Sequence, residues 1–561
     1  MESIYDFVIV GGGPSGCAVA SGLAKSPKKP SVLLLEAGGD NDDHNLRVDG
    51  QRWTTSINKD LNWGYKTTPQ EYCGNRELNL PSGRGLGGGS AINFANYTIG
   101  CRDDYDEWAR IVGDDTFRWE RMQTRFKDLE SFNGEPPAGV GKKYAAPKPT
   151  DHGTSGPLKV GYTKECVEDL TEILDCFEQA GFPLNPDHNS GNPIGMSVSI
   201  NSCQNGVRST AADLITPAPD NLTVSTHSPV QRVIIEGKKA IGVESNGKKY
   251  FASKEVVLCA GALHSPRILM HSGIGPAKQL NEYQIPIIQA NEAVGQNLRD
   301  HLCIPIVHSR KEPGVSSASF YGDAKAMDAA LEQWKKDGTG PWAKYGAQAA
   351  IGFFKLDDIA KMKEFQDLPA EEQRFMLLDT VPHYEIFTHL PAHMFYPIPT
   401  MNYHCLATWY FNGQSRGEIT LQSSDPDVPL KYNPRFLASP FDRRVAIESM
   451  RSLLRFTEHE AYAKNTVALI SGPKSDSDED ILEYWAERVI SSLHMTGTAK
   501  MGKPGDSNVV LDNNFRVIGI EGLRVADLCA VPVLPSGHVQ ATAYVTGVTC
   551  AEKLAKEYHL E

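Results

Sequence analysis

Residues 5–16 read YDFVIVGGGPSG, and this stretch decides the fold of the chain. The stretch Tyr5–Val10, apolar except for Asp6, predicts a short buried strand, and Gly11–Gly13 predict a tight turn. The stretch Ser15–Ala24, rich in small residues, predicts a closely packed helix, and the apolar run Val32–Leu35 predicts a second strand. Strand, glycine turn, helix and strand in this order are typical of a dinucleotide-binding α/β unit.

The turn fits the GxGxxG fingerprint. Gly11 permits the turn, Gly13 lets the backbone approach a pyrophosphate, and Gly16 lets helix and strand pack closely. Glu36 follows the second strand, where its carboxylate would accept hydrogen bonds from ribose hydroxyls and repel a 2′-phosphate. The pattern predicts a dinucleotide held at the helix N-terminus. The alternative is a glycine turn in an α/β protein that binds no nucleotide.

The length and net charge of the chain limit the number of domains and the kinds of partner that can be expected. A chain of 561 residues is too long for one ordinary core, which predicts two domains or one composite body. The formal charge of -13 disfavours nucleic acid as a partner. The apolar stretches are too short to predict a membrane span. Glu2 and Asp6 occupy the place of a signal peptide's basic region, so we expect an intracellular, cytoplasmic protein.

The same fingerprint letters recur at 83–88, but Pro81 interrupts any preceding strand. A single convincing fingerprint argues against a reductase that binds FAD and NAD(P)H in two such units. The eleven cysteines include no CxxC pair, and no HExxH or carboxylate–histidine spacing is present. We therefore expect buried thiols and no metal site.

Longer motifs carry a family resemblance. They are GRGLGGGSAIN at 83–93, GALHSPRIL at 261–269, VGQNLRDH at 294–301, HxxGT at 494–498 and RVAD at 524–527. This set resembles the glucose–methanol–choline (GMC) family of FAD-dependent oxidoreductases, including members of the aryl-alcohol oxidase and glucose oxidase type. The motifs stand in the family's order, so the resemblance spans nearly the whole chain.

The resemblance implies an α/β fold: a Rossmann-like FAD-binding domain of the GMC type with a substrate domain built on an antiparallel sheet. The expected division is an N-terminal part of the FAD-binding domain at 1–305, a substrate-binding domain at 306–484, and a C-terminal part of the FAD-binding domain at 485–561. That last part carries both expected active-site histidines.

The cofactor implied by the resemblance is FAD. Some members tether the flavin through a histidine in the first glycine loop, where this chain has Ile92, so we predict non-covalent FAD. The residues predicted to contact FAD are Gly11, Gly13, Pro14, Ser15, Gly16, Glu36, Arg84, Gly88, Gly89, Ser90, Asn93, Phe94, Ala95, Val230, Ala260, Asp527, His538 and Val539.

The resemblance also assigns the chemistry. The expected reaction oxidises a small-molecule alcohol to a carbonyl by hydride transfer to flavin N5, with O2 as the final acceptor. Imidazole suits the removal of the hydroxyl proton because its ordinary pKa lies near neutral pH. His494 matches the family's catalytic histidine and is the expected base. His538 matches the second active-site position and is expected to orient the alcohol oxygen.

Three alternatives stay open at this point: a dehydrogenase that passes electrons to a quinone or another carrier, a lyase or cyclase that keeps FAD as structure, and a non-catalytic flavoprotein. The sequence indicates neither the alcohol nor the oligomeric state.

Other residues have weaker interpretations. His264 and His301 are expected to pack in or near the cofactor shell. An aromatic-rich group lines either a pocket for an apolar or aromatic alcohol or an ordinary sheet face: His383, Tyr384, Phe387, His389, His393, Phe395, Tyr396, Tyr403, Trp409, Tyr410 and Phe411. A capping-box pattern at Ser477 and Asp480 predicts a helix that ends near Ser492.

Overall fold

The computed structural model describes residues 4–48, 58–163, 166–311, 323–344, 349–391, 402–503 and 505–561. Its first sheet contains the predicted N-terminal unit. Strand Ile4–Val10 pairs in parallel with Val32–Leu35 on one side and with Lys248–Leu258 on the other. All four residues of Val32–Leu35 are buried, because helices and neighbouring segments cover both faces of this parallel part of the sheet.

Seven strands form this first sheet. Their order is Leu222–Ser225, Val32–Leu35, Ile4–Val10, Lys248–Leu258, Lys239–Ser245 and Val230–Glu236, and Leu523–Val525 pairs in parallel with Lys248–Leu258. The last three strands of the order form an antiparallel meander.

The helix after the glycine turn, Pro14–Ala24, packs against the C-terminal helix Gln540–Glu557. Small residues permit the close approach: a Cβ added to Gly547 would lie 2.3 Å from the carbonyl oxygen of Ser15. The hydroxyl of Ser15 also donates to the Ala543 carbonyl at 2.7 Å. The C-terminal helix thereby holds the end of the chain against the first βα unit.

A second seven-stranded sheet is antiparallel throughout. Its order is Thr466–Ser471, Leu302–Arg310, Tyr403–Tyr410, Tyr384–Thr388, Ala350–Phe354 and Gly195–Val198, and Ile490–Ser491 pairs with Leu302–Arg310. The fold is the expected one, a Rossmann-like sheet joined to an antiparallel sheet. The division at 305 and 485 stays a prediction; strands at 195–198 and 490–491 join the second sheet from outside 306–484.

Helices cover both sheets. Those of seven or more residues are Pro14–Ala24, Arg102–Val112, Trp119–Leu129, Leu170–Gln179, Ser265–His271, Ala324–Asp337, Ala370–Met376, Pro440–Glu458, Asp478–Arg488 and Gln540–Glu557. Within the described ranges, no helix combines the length and apolar character that crossing a bilayer requires.

The helix predicted to end near Ser492 ends at Arg488 instead. Ser477 caps its start by accepting a hydrogen bond from the Asp480 N–H at 3.2 Å, as the capping pattern predicts. The backbone turns extended at Val489, so that Ile490–Ser491 can pair with the strand Leu302–Arg310. The prediction was wrong because no glycine or proline marks the helix end, and a tertiary strand pairing ends it.

Candidate active site

A cavity of about 600 Å³ begins at the N-terminal glycine turn and extends to His494 and His538. Gly11, Gly13 and Ser15 line one end, and the two histidines line the other. The size lies in the range of cofactor and small-molecule sites. The cavity therefore connects the predicted nucleotide turn with both predicted catalytic residues.

The two glycine turns add no side chain to the part of the cavity wall that they form. Gly11 has a φ of +104°, and a Cβ there would lie 2.5 Å from the Cys259 carbonyl oxygen. Gly88, from the second glycine loop, lies so close to Gly13 that its Cβ would meet the Gly13 Cα at 2.7 Å. Gly89 has nothing within 4 Å of a Cβ position and faces open space. The two loops form one surface on which backbone can contact a ligand directly.

Two carboxylates are fixed by backbone N–H groups around this surface. Glu36 accepts from Gly12 at 2.7 Å and from Gly38 and Gly85 at 2.8 Å. The carboxylate thus ties both glycine loops together while it lines the cavity. Asp527 is held in the same way and accepts from Gly261 N at 2.9 Å.

Most residues predicted to contact FAD line the cavity. They are Gly11, Gly13, Pro14, Ser15, Glu36, Gly88, Gly89, Ser90, Asn93, Phe94, Ala95, Val230, Ala260, Asp527, His538 and Val539. Gly16 lies beneath it, with a Cβ position 1.8 Å from the Gly11 carbonyl oxygen. Arg84 lies off the lining, with its guanidinium over the Trp63 ring at 4.9 Å. These two predicted residues support the walls instead of forming them.

The backbone at His494 is held by the half-buried carboxyl group of Asp300. The His494 N–H donates to Asp300 at 2.7 Å, and the Ser491 hydroxyl donates to the other Asp300 oxygen at 2.5 Å. Leu493 adopts a φ of +63°, a left-handed conformation that a leucine rarely takes. The short segment 491–494 is therefore bent and fixed so that the His494 ring enters the cavity.

The two ring nitrogens of His494 differ in their surroundings. Its Nδ1 lies 3.0 Å from Nδ1 of His301, so one ring donates and the other accepts. Among the described residues, Nε2 of His494 has no hydrogen-bond partner, and the ring lines the cavity. This nitrogen is available to a ligand.

His538 faces His494, with the ring centroids 4.7 Å apart. Its backbone N–H donates to the Thr98 hydroxyl at 2.6 Å. Its Nε2 lies 3.1 Å from a carboxyl oxygen of Glu385, which is 0% exposed and projects from the second sheet. The Phe387 ring meets His538 edge-on at 5.2 Å.

Burial favours the neutral forms of these groups. It holds the pKa of His494 well below 6.5, with repulsion from His538 as a further cause, and lowers the pKa of His538 to about 3. Burial also raises the pKa of the Glu385 carboxyl well above its ordinary value. The site therefore presents two neutral imidazoles and a neutral carboxylic acid.

Side chains alternate between the two faces of the second sheet, so the aromatic group is split between the cavity side and the opposite side. Trp409 lines the cavity and Phe387 contacts His538. Tyr384 and Tyr410 point to the opposite face, where Tyr384 bonds Ser452 at 2.6 Å and Tyr410 packs on Trp485. Both interpretations of this group therefore hold in part.

The remaining members of the group lie away from the lining. His383 bonds the Leu356 N–H and His389 contacts Asp169, while Tyr403 and Phe411 pack in the apolar cluster of the second sheet. His393, Phe395 and Tyr396 fall outside the described residues.

Three site residues have roles that sequence analysis did not give them. Asp300 and Glu385 were not singled out, and His301 was expected only as a packing residue. The sequence did contain a signal for Glu385, which is the one charged residue in the stretch Tyr384–Thr388. A carboxyl group in a buried strand needs a partner and so indicates a functional site. His264 does line the cavity, as expected, and bonds the Tyr65 hydroxyl at 2.7 Å.

The geometry fits a bound dinucleotide with a redox-active ring. Helix Pro14–Ala24 begins at Gly13 without a side-chain cap, so its first N–H groups are free for a pyrophosphate. Because Gly13 and Gly89 carry no side chain, space is left beside their backbone for the ligand. Within the described ranges, no three His, Cys, Asp or Glu side chains gather to hold a metal ion.

Family models match most of the chain. Two models described as GMC oxidoreductase match residues 5–303 and 413–547. The chain belongs to the GMC oxidoreductase family. It is accordingly an FAD-dependent oxidoreductase.

Relatives match this GMC oxidoreductase along its full length. Oxygen-dependent choline dehydrogenase 1 of Chromohalobacter salexigens is 30% identical over 98% of this chain and 94% of its own. Patulin synthase of Penicillium expansum is 30% identical over 99% and 91%. Among solved structures, a formate oxidase variant from Aspergillus oryzae RIB40 matches with a TM-score of 0.91 and 26% identity, and both chains are covered completely. That structure concerns the effect of a mutation on FAD modification.

Proposed function

We propose that this GMC oxidoreductase oxidises a small alcohol to a carbonyl compound, with His494 as the base and O2 as the final acceptor. The observation that supports the proposal best is the pair His494 and His538, both neutral, which face each other at one end of the cofactor cavity. When bound, FAD supplies a two-electron acceptor for the hydride that leaves the alcohol carbon.

His494 takes the hydroxyl proton in this proposal. Its Nδ1–H donates to Nδ1 of His301, which keeps the Nε2 lone pair free toward the cavity. Because burial holds the pKa of His494 well below 6.5, the ring is neutral at neutral pH and can accept a proton from the substrate. Asp300 holds the backbone that carries this ring.

His538 positions the alcohol oxygen. Its Nε2 is engaged by Glu385, and its other ring nitrogen is left for the substrate. Since Glu385 is neutral, it donates its proton to Nε2 and leaves a proton on Nδ1 for a hydrogen bond to the alcohol oxygen. The pair thereby fixes the tautomer of His538.

The described wall beside the histidines is apolar. Phe94, Leu390 and Trp409 line it, together with Ala407 and Pro305. Such a wall suits an uncharged alcohol with an apolar or aromatic body, because burial of apolar area supplies the binding free energy.

An anaerobic screen of alcohols tests the proposal. Aliphatic, benzylic and charged alcohols are mixed in turn with the FAD-loaded protein, and loss of oxidised-flavin absorbance is followed. We expect bleaching with uncharged alcohols and recovery of absorbance when O2 is admitted. Bleaching without recovery in O2 would instead indicate a dehydrogenase that needs another acceptor. Failure of every alcohol to bleach the flavin would contradict the proposed reaction.

A further inference from the structure

A second cavity lies behind the segment that carries His494. Its volume is about 200 Å³, and we call it the basic pocket, after the charged residues in its wall. Its polar and charged lining residues are Asn297, Arg299, Glu372, Arg416, Lys500 and Asp506. Three cations thus face two carboxylates, in a chain whose formal charge is -13.

Two of the three cations of the basic pocket, Arg299 and Lys500, are poorly matched by protein groups, whereas Arg416 donates to Gly413, Ser415 and Gln414 oxygens. Among the described residues, Arg299 has no carboxylate within ion-pair distance and its Nε is buried without a hydrogen-bond partner. Its terminal nitrogens reach only carbonyl oxygens, at 3.3 Å on Gly413 and 3.5 Å on Pro532. A buried guanidinium in this state is costly, because nothing replaces its hydration.

Neither lining carboxylate makes an ion pair with Arg299 or Lys500, and Asp442, a buried carboxyl outside the lining, acts on Arg299 and Arg416 only through longer-range electrostatic attraction. Glu372 lies 3.8 Å from Arg416 and also accepts from Gln414 at 3.3 Å. Asp506 is exposed and accepts from the Asn508 N–H. The side-chain ammonium of Lys500, which is partly buried, makes no hydrogen bond or ion pair with a described residue and is attracted only at longer range by Asp506. Burial and the neighbouring Arg416 lower the pKa of Arg299 to about 9, and burial also lowers the pKa of Lys500.

We propose that the basic pocket binds a small oxyanion, of the phosphate, sulfate or short carboxylate class, between Arg299, Arg416 and Lys500. Two guanidinium groups and an ammonium group are the donors that proteins use for such anions. A volume of 200 Å³ admits an ion of this size. One negative ligand would supply the partners that Arg299 and Lys500 lack.

The pocket is directly connected to the catalytic segment. The Arg299 backbone pairs with Thr496 through N–H to O bonds of 3.2 and 3.0 Å in the two directions. Asp300 and His301, the next two residues, hold His494. A bound oxyanion would therefore stabilise the segment 299–301, from which the His494 contacts arise.

Calorimetric titration tests the site. Sodium phosphate is titrated into the FAD-loaded protein in a zwitterionic buffer, and sulfate and acetate follow at equal ionic strength. We expect one saturable site per chain. Tighter binding of phosphate and sulfate than of acetate would identify a tetrahedral ligand, and the reverse order would identify a carboxylate.

Variants show where the ion binds. Lys500→Gln should weaken binding at least about tenfold, as expected for loss of a charge-assisted hydrogen bond. Lys503→Gln removes the same charge three residues away, outside the pocket lining, and should leave the affinity unchanged. If Lys500→Gln does not fold, Arg416→Gln serves instead, and a selenate soak of wild-type crystals locates the ion by anomalous scattering.

Absence of saturable heat with all three anions would overturn the proposal, as would equal affinity in wild type and Lys500→Gln. So would selenate density elsewhere but not in the basic pocket. The binding heat requires no turnover, so its failure leaves the alcohol oxidation proposal unaffected.

Discussion

Removal of the Asp300 carboxyl should slow flavin reduction, and the size of the effect should depend on what replaces it. One Asp300 oxygen accepts the His494 N–H at 2.7 Å, and the other accepts the Ser491 hydroxyl at 2.5 Å. The Ser491 oxygen in turn accepts the Leu493 N–H at 3.0 Å. These three contacts hold the left-handed turn that places the His494 ring.

In Asp300→Asn the amide oxygen keeps the His494 N–H, and the amide NH2 donates to Ser491, whose hydroxyl has a second lone pair. Because burial raises the pKa of Asp300 to about 7, the comparison is made above that pH, where the carboxylate is charged. The main loss is then the charge assistance of the hydrogen bonds, about 1 kcal/mol, or roughly a fivefold slower reduction. Asp300→Ala leaves two donors without a partner, which costs about 3 kcal/mol and slows reduction by about two orders of magnitude.

Anaerobic stopped-flow reduction by a substrate alcohol measures both effects, and thermal melting checks the fold. Asp442→Ala is the control, because Asp442 is a buried carboxyl group that also accepts two backbone N–H groups, those of Gln414 and Ser415, and its hydrogen bonds involve neither active-site histidine. It should lower the melting temperature and leave the reduction rate nearly unchanged. Equal reduction rates in Asp300→Asn and Asp300→Ala would refute the reasoning, as would a control as slow as Asp300→Ala.

Three further predictions concern the neutral site and the glycine turn. In Asp300→Asn, which removes a carboxyl whose pKa burial raises to about 7, flavin reduction should not fall near pH 6.5, because burial holds the His494 pKa well below 6.5 and lowers the His538 pKa to about 3. Stability should fall as pH drops below 6.5, where the unfolded histidines bind protons that the folded ones do not, and a rate of this variant that halves near pH 6.5 would contradict this. Glu385→Gln keeps a neutral hydrogen-bonding group and should change the rate less than about threefold, whereas Glu385→Leu should cost about tenfold in the same stopped-flow assay. Gly11→Ala should lower the free energy of unfolding by about 2 kcal/mol or more and reduce the flavin-to-protein ratio. The reason is that Gly11 has a positive φ and an added Cβ would clash with the Cys259 carbonyl oxygen. Gly141→Ala, where the added Cβ meets open space, should match wild type in both measurements.

Local sequence predicted the N-terminal unit almost to the residue. The strand starts at Ile4 and the helix spans Pro14–Ala24, close to the predicted Tyr5 and Ser15. Glycines and apolar runs determine this unit through neighbouring residues alone, so no distant contact was needed. The motif at 83–93 needed the family resemblance, because Pro81 breaks the local pattern that would have placed it.

The partners of the histidines were beyond local sequence. Glu385 lies 153 residues from His538, and only the register between strands Tyr384–Thr388 and Tyr403–Tyr410 brings it to the site. The same register decides that Trp409 faces the cavity and Tyr410 does not. A one-residue shift would exchange the two faces, and the sequence alone does not determine that shift.

The reduction rate of the His494→Ala variant tests the central claim most directly. The variant should bind FAD as wild type does, because the glycine turns are unchanged, yet alcohol-driven flavin reduction should fall by about three orders of magnitude or more. His538→Asn, which keeps a hydrogen-bond donor, should lose much less. Reduction of the His494→Ala flavin at the wild-type rate, with FAD fully bound, would contradict the account.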